Sequence, residues 1–440
     1  NGPAVAFPRV ATHCSRPVLV ALAVLVLLGG GLRAAKAASP DLGNPSTDEL
    51  AYASIARSLT HGQYRASLHW PPGAPAMFAV GQKLFPSQDL RAAYWLQALV
   101  GTLLIGVVFV LGLLAAGPLV GLGAAGLTAI YPPYLTLAGQ LLSEPLGTLL
   151  LAAGVAALLA GWRLQRRWPF VLAGVLLGAT LLTRTDLLLV PGILAVATAL
   201  ALRREGRRPA LTAAGLLLAA TLVTVLPWVV FASHRAGHFV PITEGSGSAL
   251  FVGTYLPGDG TTTGMKRELG AEVQRGSRKY RHTEPTLIPA VLVLDHVARR
   301  RPRLDRDAAL NAEGVANLRR YAWGDPLSFL GMMAHKASRM WLVSSRAGVA
   351  TKSSVTRTIH FIVVLALALA LIAGCVLRRS AVLLALLAVL GYGTLLHAVF
   401  VSKPRYALPL LPLLAVGGLA AVAALWQLRA DRAAERERLA

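Results

Sequence analysis

Apolar runs long enough, or nearly long enough, to cross a bilayer recur along most of this 440-residue chain. They fall at about 17–32, 92–116, 118–138, 145–161, 169–182, 187–202, 210–231, 359–377, 381–400 and 406–428. A hydrocarbon core takes about twenty apolar residues per helical span, so the pattern predicts roughly ten membrane helices. The fifth and sixth runs are short enough to be tilted or partly re-entrant. Composition agrees, with 55% hydrophobic residues, only 14% charged residues and a mean hydropathy of +0.58. Soluble domains carry about 25% charged residues, so the fold class expected is an all-α integral membrane protein.

The arginines orient the bundle. Arg9 and Arg16 precede the first run; Arg163, Arg166 and Arg167 follow the fourth. Arg203, Arg204, Arg207 and Arg208 follow the sixth, and Arg378 and Arg379 follow the eighth. With ten helices these clusters and both termini share one side, which the positive-inside rule makes cytoplasmic. The other side then carries a long first loop (33–91), short turns near Glu144 and at 183–186, a long basic segment (232–357) and the stretch 402–405. Long segments translocate largely regardless of charge, so the basic segment does not overturn this parity. The first run, followed by Ala34-Ala35-Lys36-Ala37-Ala38, also fits a cleaved signal peptide. Its removal would leave nine spans and the same side facing out.

The organisation expected is therefore threefold. Residues 1–231 form an N-terminal transmembrane catalytic module that includes the loop 33–91. Residues 232–357 form a non-cytoplasmic loop region, and 358–440 supply the last transmembrane helices and a short cytoplasmic tail. Within the loop region, 326–342 alternates Phe329, Met333, Met340 and Trp341 with Lys336 and Arg339, which predicts a helix lying on the membrane surface. The net charge of +23 lies mostly in short loops and in the basic segment, which suits anionic lipid head groups and phosphates rather than nucleic acid. Cys14 and Cys375 suggest neither a disulfide framework nor a metal site, and the histidines are scattered without ligand spacing.

Acids are rare beside bilayers unless they have work to do, so the carboxylates on the outward side come first. Ser46-Thr47-Asp48-Glu49 opens an amphipathic helix and reads as a capping box, Ser46 accepting from the N3 amide and Glu49 reaching back. With Glu49 occupied by the cap, Asp48 is the candidate base. Ser143-Glu144-Pro145 starts the fourth helix on the same side; it reads either as a helix start with an acid on the dipole or as a second carboxylate facing the first. Tyr131-Pro132-Pro133 would break the third helix just before it and make room for a cavity.

Basic residues on that side read two ways. In Thr183-Arg184-Thr185-Asp186 the arginine pairs with its neighbour or serves a phosphate. In Lys403-Pro404-Arg405-Tyr406 the cations snorkel or meet a phosphate at the mouth of the bundle, a task for which the arginine fork is suited. Tyr52, His69 and Trp70 offer aromatic faces to sugar rings or isoprenoid tails and, with Glu49, complete the candidate substrate cavity.

Taken in order, these motifs resemble the polytopic GT-C glycosyltransferases, in particular the branch of protein O-mannosyltransferases and the lipid A aminoarabinose transferase. The resemblance rests on Thr47-Asp48-Glu49-Leu50-Ala51-Tyr52-Ala53 with Ile55-Ala56-Arg57, then Pro71-Pro72 and Tyr131-Pro132 leading to Leu142-Ser143-Glu144-Pro145. It continues with Leu182-Thr183-Arg184 and Pro404-Arg405-Tyr406 before Leu408-Pro409. It implies a GT-C-type bundle of about ten transmembrane helices with a long first outer loop and a large basic outer loop bearing membrane-surface helices. It also implies sugar transfer from a polyprenyl-phosphate donor on the non-cytoplasmic face of a bacterial inner or plasma membrane. Asp48 matches the family's catalytic base and Glu144 its second acid, and Arg405, leading into the last helix, matches a donor-phosphate contact. One departure is Trp70, which stands where some relatives carry a basic residue before the Pro pair. Either Arg184, Lys403 or Arg405 carries the load of the basic residue that Trp70 replaces, or the donor lies differently.

The chemistry agrees on its own terms. A glycosyl phosphate loses its phosphate as an anion that needs little acid help. One carboxylate to deprotonate an acceptor hydroxyl and a few cations for the departing phosphate suffice, and a single displacement inverts the anomeric centre. The acceptor class, whether glycan, lipid or protein, is open. No cofactor is required by the sequence, although a divalent ion bridging carboxylate and phosphate is compatible with it. The competing readings are a transporter or flippase of lipid-linked sugars and a non-catalytic envelope assembly factor. Transport asks for ionisable groups near the bilayer midplane, whereas most charges here lie at run ends.

Overall fold

The computed structural model describes residues 14–40, 45–64, 68–85, 90–343, 345–346, 349–350 and 354–439; Arg9 lies outside them. Contacts divide the chain into two units. One takes the described residues of Asn1–Ile242, Ser344–Tyr392 and Ala407–Ala440, and the other takes Thr243–Val343 and Gly393–Tyr406. The expected loop region 232–357 is thus replaced by a unit that begins at Thr243 and recruits the stretch 393–406.

The first unit holds α1 (Arg16–Ala38), α2 (Thr47–Thr60), α3 (Gly73–Leu84), α4 (Leu90–Ala116), α5 (Pro118–Ile130) and α6 (Pro132–Leu137). It continues with α7 (Glu144–Leu164), α8 (Trp168–Leu181), α9 (Val190–Leu202) and α10 (Arg207–Ala236). The second unit holds α11 (Ser246–Thr254), α12 (Thr262–Gly276), α13 (Ala290–Ala298), α14 (Arg306–Gly324) and α15 (Pro326–Leu342). The chain then returns to the first through α16 (Ser354–Arg378), α17 (Ala381–Val399) and α18 (Leu411–Leu439), α17 running from the first unit into the second. Among the described residues the extended structure is a two-residue ladder, Ser345–Arg346 against Val349–Ala350.

Among the described residues eight helical segments are long and apolar enough to cross a membrane: Arg16–Ala38, Leu90–Ala116, Glu144–Leu164, Thr185–Leu202, Arg207–Ala236, Ser354–Arg378, Ala381–Val399 and Leu411–Glu435. Two of the ten expected runs are shorter helices, α5 and α8. The third run ends early because Pro132 and Pro133 stop α5 at Ile130 and restart the chain as α6, as the Pro pair predicts. The sixth reaches its length by adding the 3₁₀ turn Thr185–Leu187 to α9.

Lipid supplies no hydrophobic drive between helices, so close packing and small residues must hold them together. Gly174 and Gly178, four apart on α8, lie against α10. A side chain on Gly174 would strike the Leu217 carbonyl, and one on Gly178 would stand 2.6 Å from Thr224 Cβ. Contact at that distance brings Thr221 Oγ1 within 3.1 Å of the Gly174 carbonyl, to which it donates. Gly112 of α4 and Gly121 of α5 meet in the same manner, a Cβ on the former falling 2.7 Å from Gly121 Cα. At the other end from the acids, arginines reach carbonyls of neighbouring helices: Arg163 Nε donates to the Leu114 carbonyl near the C-terminus of α4 at 2.7 Å, and Arg378 Nη2 to that of Ala424 within α18 at 2.7 Å. Arg33, wholly buried, does the same for α5 by donating to the Thr128 and Ala129 carbonyls.

In the second unit α11, α12, α13 and α14 surround a core of Phe251, Met265, Leu269, Ile288, Val293, Val297 and Leu310. α15 forms where the alternation predicts it, but with a different inward face. Phe329, Met332, Lys336 and Met340 are buried at helical spacing, whereas Leu327 is 83% and Leu330 60% exposed. The predicted polar face was wrong at Lys336, for a reason taken up below.

Gly174→Leu is expected to force α8 and α10 apart at a cost of roughly 1–3 kcal/mol or more. The unfolding midpoint of the detergent-solubilised protein should fall, whereas Gly215→Leu on α10, where a Cβ meets nothing within 4 Å, should leave it near wild type.

Candidate active site

The starts of α2 and α7 are stitched together by side chains that carry no chemistry of their own. Ser46 Oγ accepts from the Glu49 amide at 3.3 Å, while Glu49 Oε2 accepts from the Ser46 amide at 2.9 Å, completing the capping box. The other oxygen of Glu49 accepts from the Leu141 amide at 3.3 Å, two residues before Ser143. Gln97 of α4 holds the same stretch, its amide donating to the carbonyls of Gln140 at 2.8 Å and Leu142 at 2.9 Å. Asp48, half-buried in the first turn of α2, is fixed through its neighbour to the backbone that leads into Glu144.

Glu144 begins α7 at 2% side-chain exposure and pairs with Arg184 Nη1 at 3.3 Å. Arg184, at 5%, also grips Asp186 in a fork, Nε to Oδ1 at 3.1 Å and Nη2 to Oδ2 at 2.7 Å. The guanidinium therefore bridges two carboxylates from different loops. Its stem needs Gly147 on the next turn of α7, where a Cβ would come within 2.7 Å of Arg184 Cδ. From below, Tyr392 of α17 donates its hydroxyl to the Asp186 carbonyl at 2.9 Å.

The loop before α3 joins this cluster through backbone. The Gly73 amide donates to the Leu182 carbonyl at 2.7 Å, and a side chain at Gly73 would strike Thr183 Oγ1. Pro71 and Pro72 set that approach. Three loops separated by tens of residues thus meet at Gly73, at Leu182–Arg184 and at Glu144.

The aromatic candidates divide. Tyr52 is buried in a cluster with Ala53, Ala56, Phe78, Tyr94 and Leu141, and Trp70 stacks edge-on against it at 5.4 Å. His69 is exposed and lies edge-on to Trp70 at 4.9 Å. Tyr52 and Trp70 accordingly help to pack α2 onto the bundle. Lys403 and Arg405 belong to the second unit; Arg405 is buried in the 3₁₀ turn Pro404–Ala407, its guanidinium 5.7 Å from the Tyr406 ring. Among the described residues no group of three or more His, Cys, Asp or Glu side chains is gathered as a metal site would need.

Sequence reasoning passed over Gln97, Gly147, Tyr392 and the third partner of the Arg184 bridge. Gln97 carried a signal, being an amide inside an otherwise apolar span. The glycines and the long-range pairing carried none, since nothing local marks what a distant loop will bring.

No family model matches the chain, and no curated protein matches it in sequence. Solved structures do. The archaeal oligosaccharyltransferase AglB from Archaeoglobus fulgidus, solved with an inhibitory peptide and a dolichol-phosphate, aligns with a TM-score of 0.57 at 15% identity, over 96% of this chain and 52% of that one. An Archaeoglobus fulgidus oligosaccharyltransferase tethered to an acceptor peptide gives 0.54 at 16% identity, over 93% and 50%. ArnT from Cupriavidus metallidurans bound to undecaprenyl phosphate gives 0.41 at 19% identity, over 93% and 77%. The chain thus spans about half the length of the oligosaccharyltransferase it matches. The likeness is one of fold: the chain shares the α-helical architecture of that oligosaccharyltransferase.

Arg184→Met would strand the Glu144 carboxylate in a buried site and is expected to cost roughly 3–5 kcal/mol. Adding Glu144→Gln removes the stranded charge, so the double variant should melt above the single one. Equal unfolding midpoints for wild type and Arg184→Met would refute the bridge.

Proposed function

We propose that this chain is a membrane glycosyltransferase that moves a sugar from a polyprenyl-phosphate-linked donor to an acceptor hydroxyl, with inversion. The observation that carries the reading is the convergence of the Asp48-bearing start of α2 with the Glu144–Arg184–Asp186 cluster, on a bundle that shares its fold with AglB. The dolichol-phosphate held by that relative supports a donor of the same chemical class here. The arginine clusters at the opposite helix ends support placing the reaction on the non-cytoplasmic face of a bacterial inner or plasma membrane, with both termini cytoplasmic.

In this reading the acceptor hydroxyl oxygen attacks the anomeric carbon and its proton passes to the Asp48 carboxylate. The bond from the anomeric carbon to phosphate oxygen breaks, and the electron pair leaves with the phosphate, whose charge Lys403 and Arg405 offset. Glu144 and Arg184 take positioning roles. Each is buried and committed to the other, so Arg184 is reassigned from phosphate contact to the brace under Asp48's neighbourhood. Glu49 holds the start of α2 and does not meet the sugar. The acceptor is a glycan, lipid or protein; membrane lipids are the other partners, and nucleic acid is not one.

The test is release of free polyprenyl phosphate by purified protein in lipid, from a panel of polyprenyl-phosphate sugars with candidate acceptors supplied. Asp48→Asn is expected to lower release by roughly 10²–10⁴-fold, the usual worth of a general base. Glu49→Gln should lower it far less while costing about 1 kcal/mol of stability through the cap. Undiminished release by Asp48→Asn would remove the base, and no release from any donor would favour transport or assembly. Inversion is read separately, by NMR of the product's anomeric centre; retained configuration would sink the single displacement. Release unaffected by a chelator would exclude a required divalent ion.

A further inference from the structure

Lys336 is 1% exposed, and its ammonium nitrogen has no carboxylate within ion-pair distance among the described residues. Nζ donates instead to two carbonyls, that of Gly253 at 2.6 Å and that of Val399 at 3.3 Å. Gly253 lies in the last turn of α11 and Val399 is the last residue of α17. Each helix C-terminus leaves carbonyls without intrahelical donors and carries the negative end of the macrodipole. One amine therefore serves two converging helix ends.

The same lysine holds the chain just beyond α17. Its own carbonyl accepts from Ser402 Oγ at 3.3 Å. The Val401 amide donates to the Ala249 carbonyl of α11 at 3.0 Å, and His397 Nδ1 lies 3.2 Å from the Val401 carbonyl. The stretch crosses directly over Gly253, where a Cβ would come within 2.6 Å of the Val401 amide nitrogen. Lys403 and Arg405 follow at once.

We propose that Lys336 is a positioning residue that clamps the stretch 399–402 and so sets the pose in which Lys403 and Arg405 meet an anionic phosphate. The phosphate half of this rests on the function proposed above; the clamp does not.

Ionisation supplies a readout that simple packing would not. Burial pulls the Lys336 amine down from its ordinary value to about 7, against an opposing pull from the Asp259 charge. The charge that acts on it is Asp259 of the 258–260 turn, itself paired at 3.5 Å with His335; α15, α17 and the stretch after it also carry Arg339, His397, Lys403 and Arg405, and α11 carries no titratable side chain. Between pH 7 and the ordinary lysine range the unfolded chain holds a proton that the folded one has shed. Stability should therefore rise with pH across that window.

The experiment compares wild type, Lys336→Met and Gly260→Ala in lipid nanodiscs. Gly260 sits at φ +59°, and a Cβ there would press within 2.6 Å of Lys336 Cδ, so this variant displaces the amine if Lys336→Met fails to fold. Hydrogen exchange of peptides over 399–406 should quicken at least tenfold in Lys336→Met and less in Gly260→Ala, with peptides of α14 unchanged. Unchanged exchange at 399–406 in a folded variant overturns the clamp. The rise of unfolding midpoint above pH 7 should flatten in Lys336→Met; an undiminished rise also overturns it. Binding of a polyprenyl monophosphate should weaken at least tenfold in Lys336→Met and in Arg405→Ala. If Arg405→Ala weakens binding and a loosened Lys336→Met does not, the positioning role fails. If neither Arg405→Ala nor Lys403→Ala weakens it, the phosphate reading fails, and quickened exchange still supports the clamp.

Discussion

A charge buried beside a bilayer must be met by an opposite charge or by hydrogen-bond partners, and at the acid-bearing end of this bundle it is met by charge. Arg184 stands between Glu144 and Asp186, its stem laid across Gly147. Removing the guanidinium leaves both carboxylates stranded at a cost larger than most single contacts, whereas losing either acid still leaves Arg184 one partner. The helix starts, the Pro-Pro-Gly approach and the Tyr392 hydroxyl converge on this bridge because each satisfies a polar group that the bridge brings inside.

Much of this was legible in the chain and some was not, for reasons that sort by range. The apolar runs read correctly because helix formation in lipid is a local matter of length and hydropathy. Ser46 and Glu49 read correctly as a capping box because the partners are three residues apart. The Arg184–Asp186 pair was visible for the same reason. Glu144 completing that pair was invisible, since forty residues separate them and no pattern predicts which loop ends meet. The packing of Tyr52 against Trp70 was not legible, because aromatic faces in a sequence read equally as core and as sugar platform.

Lys336 is the instructive failure. An amphipathic reading places every lysine on the wet face, and by that reading α15 would turn its other side to the membrane. The helix instead buries a stripe of Phe329, Met332, Lys336 and Met340, because two helix ends inside the second unit need a donor that no apolar residue has. Patterning sees a side chain's affinity for water and misses its capacity to replace water.

α8 has fourteen residues, which at the helical rise makes it about 21 Å long, and a typical hydrocarbon core is about 30 Å thick. Its glycines bind it closely to α10, and tilting would only shorten its reach further. A stretch shorter than the core is met by thinning of the bilayer beside it or by snorkelling of flanking side chains, for which Arg166 and Arg167 stand directly before α8. A bilayer's thickness, and not only its headgroups, then becomes part of the solvent in which this fold is stable.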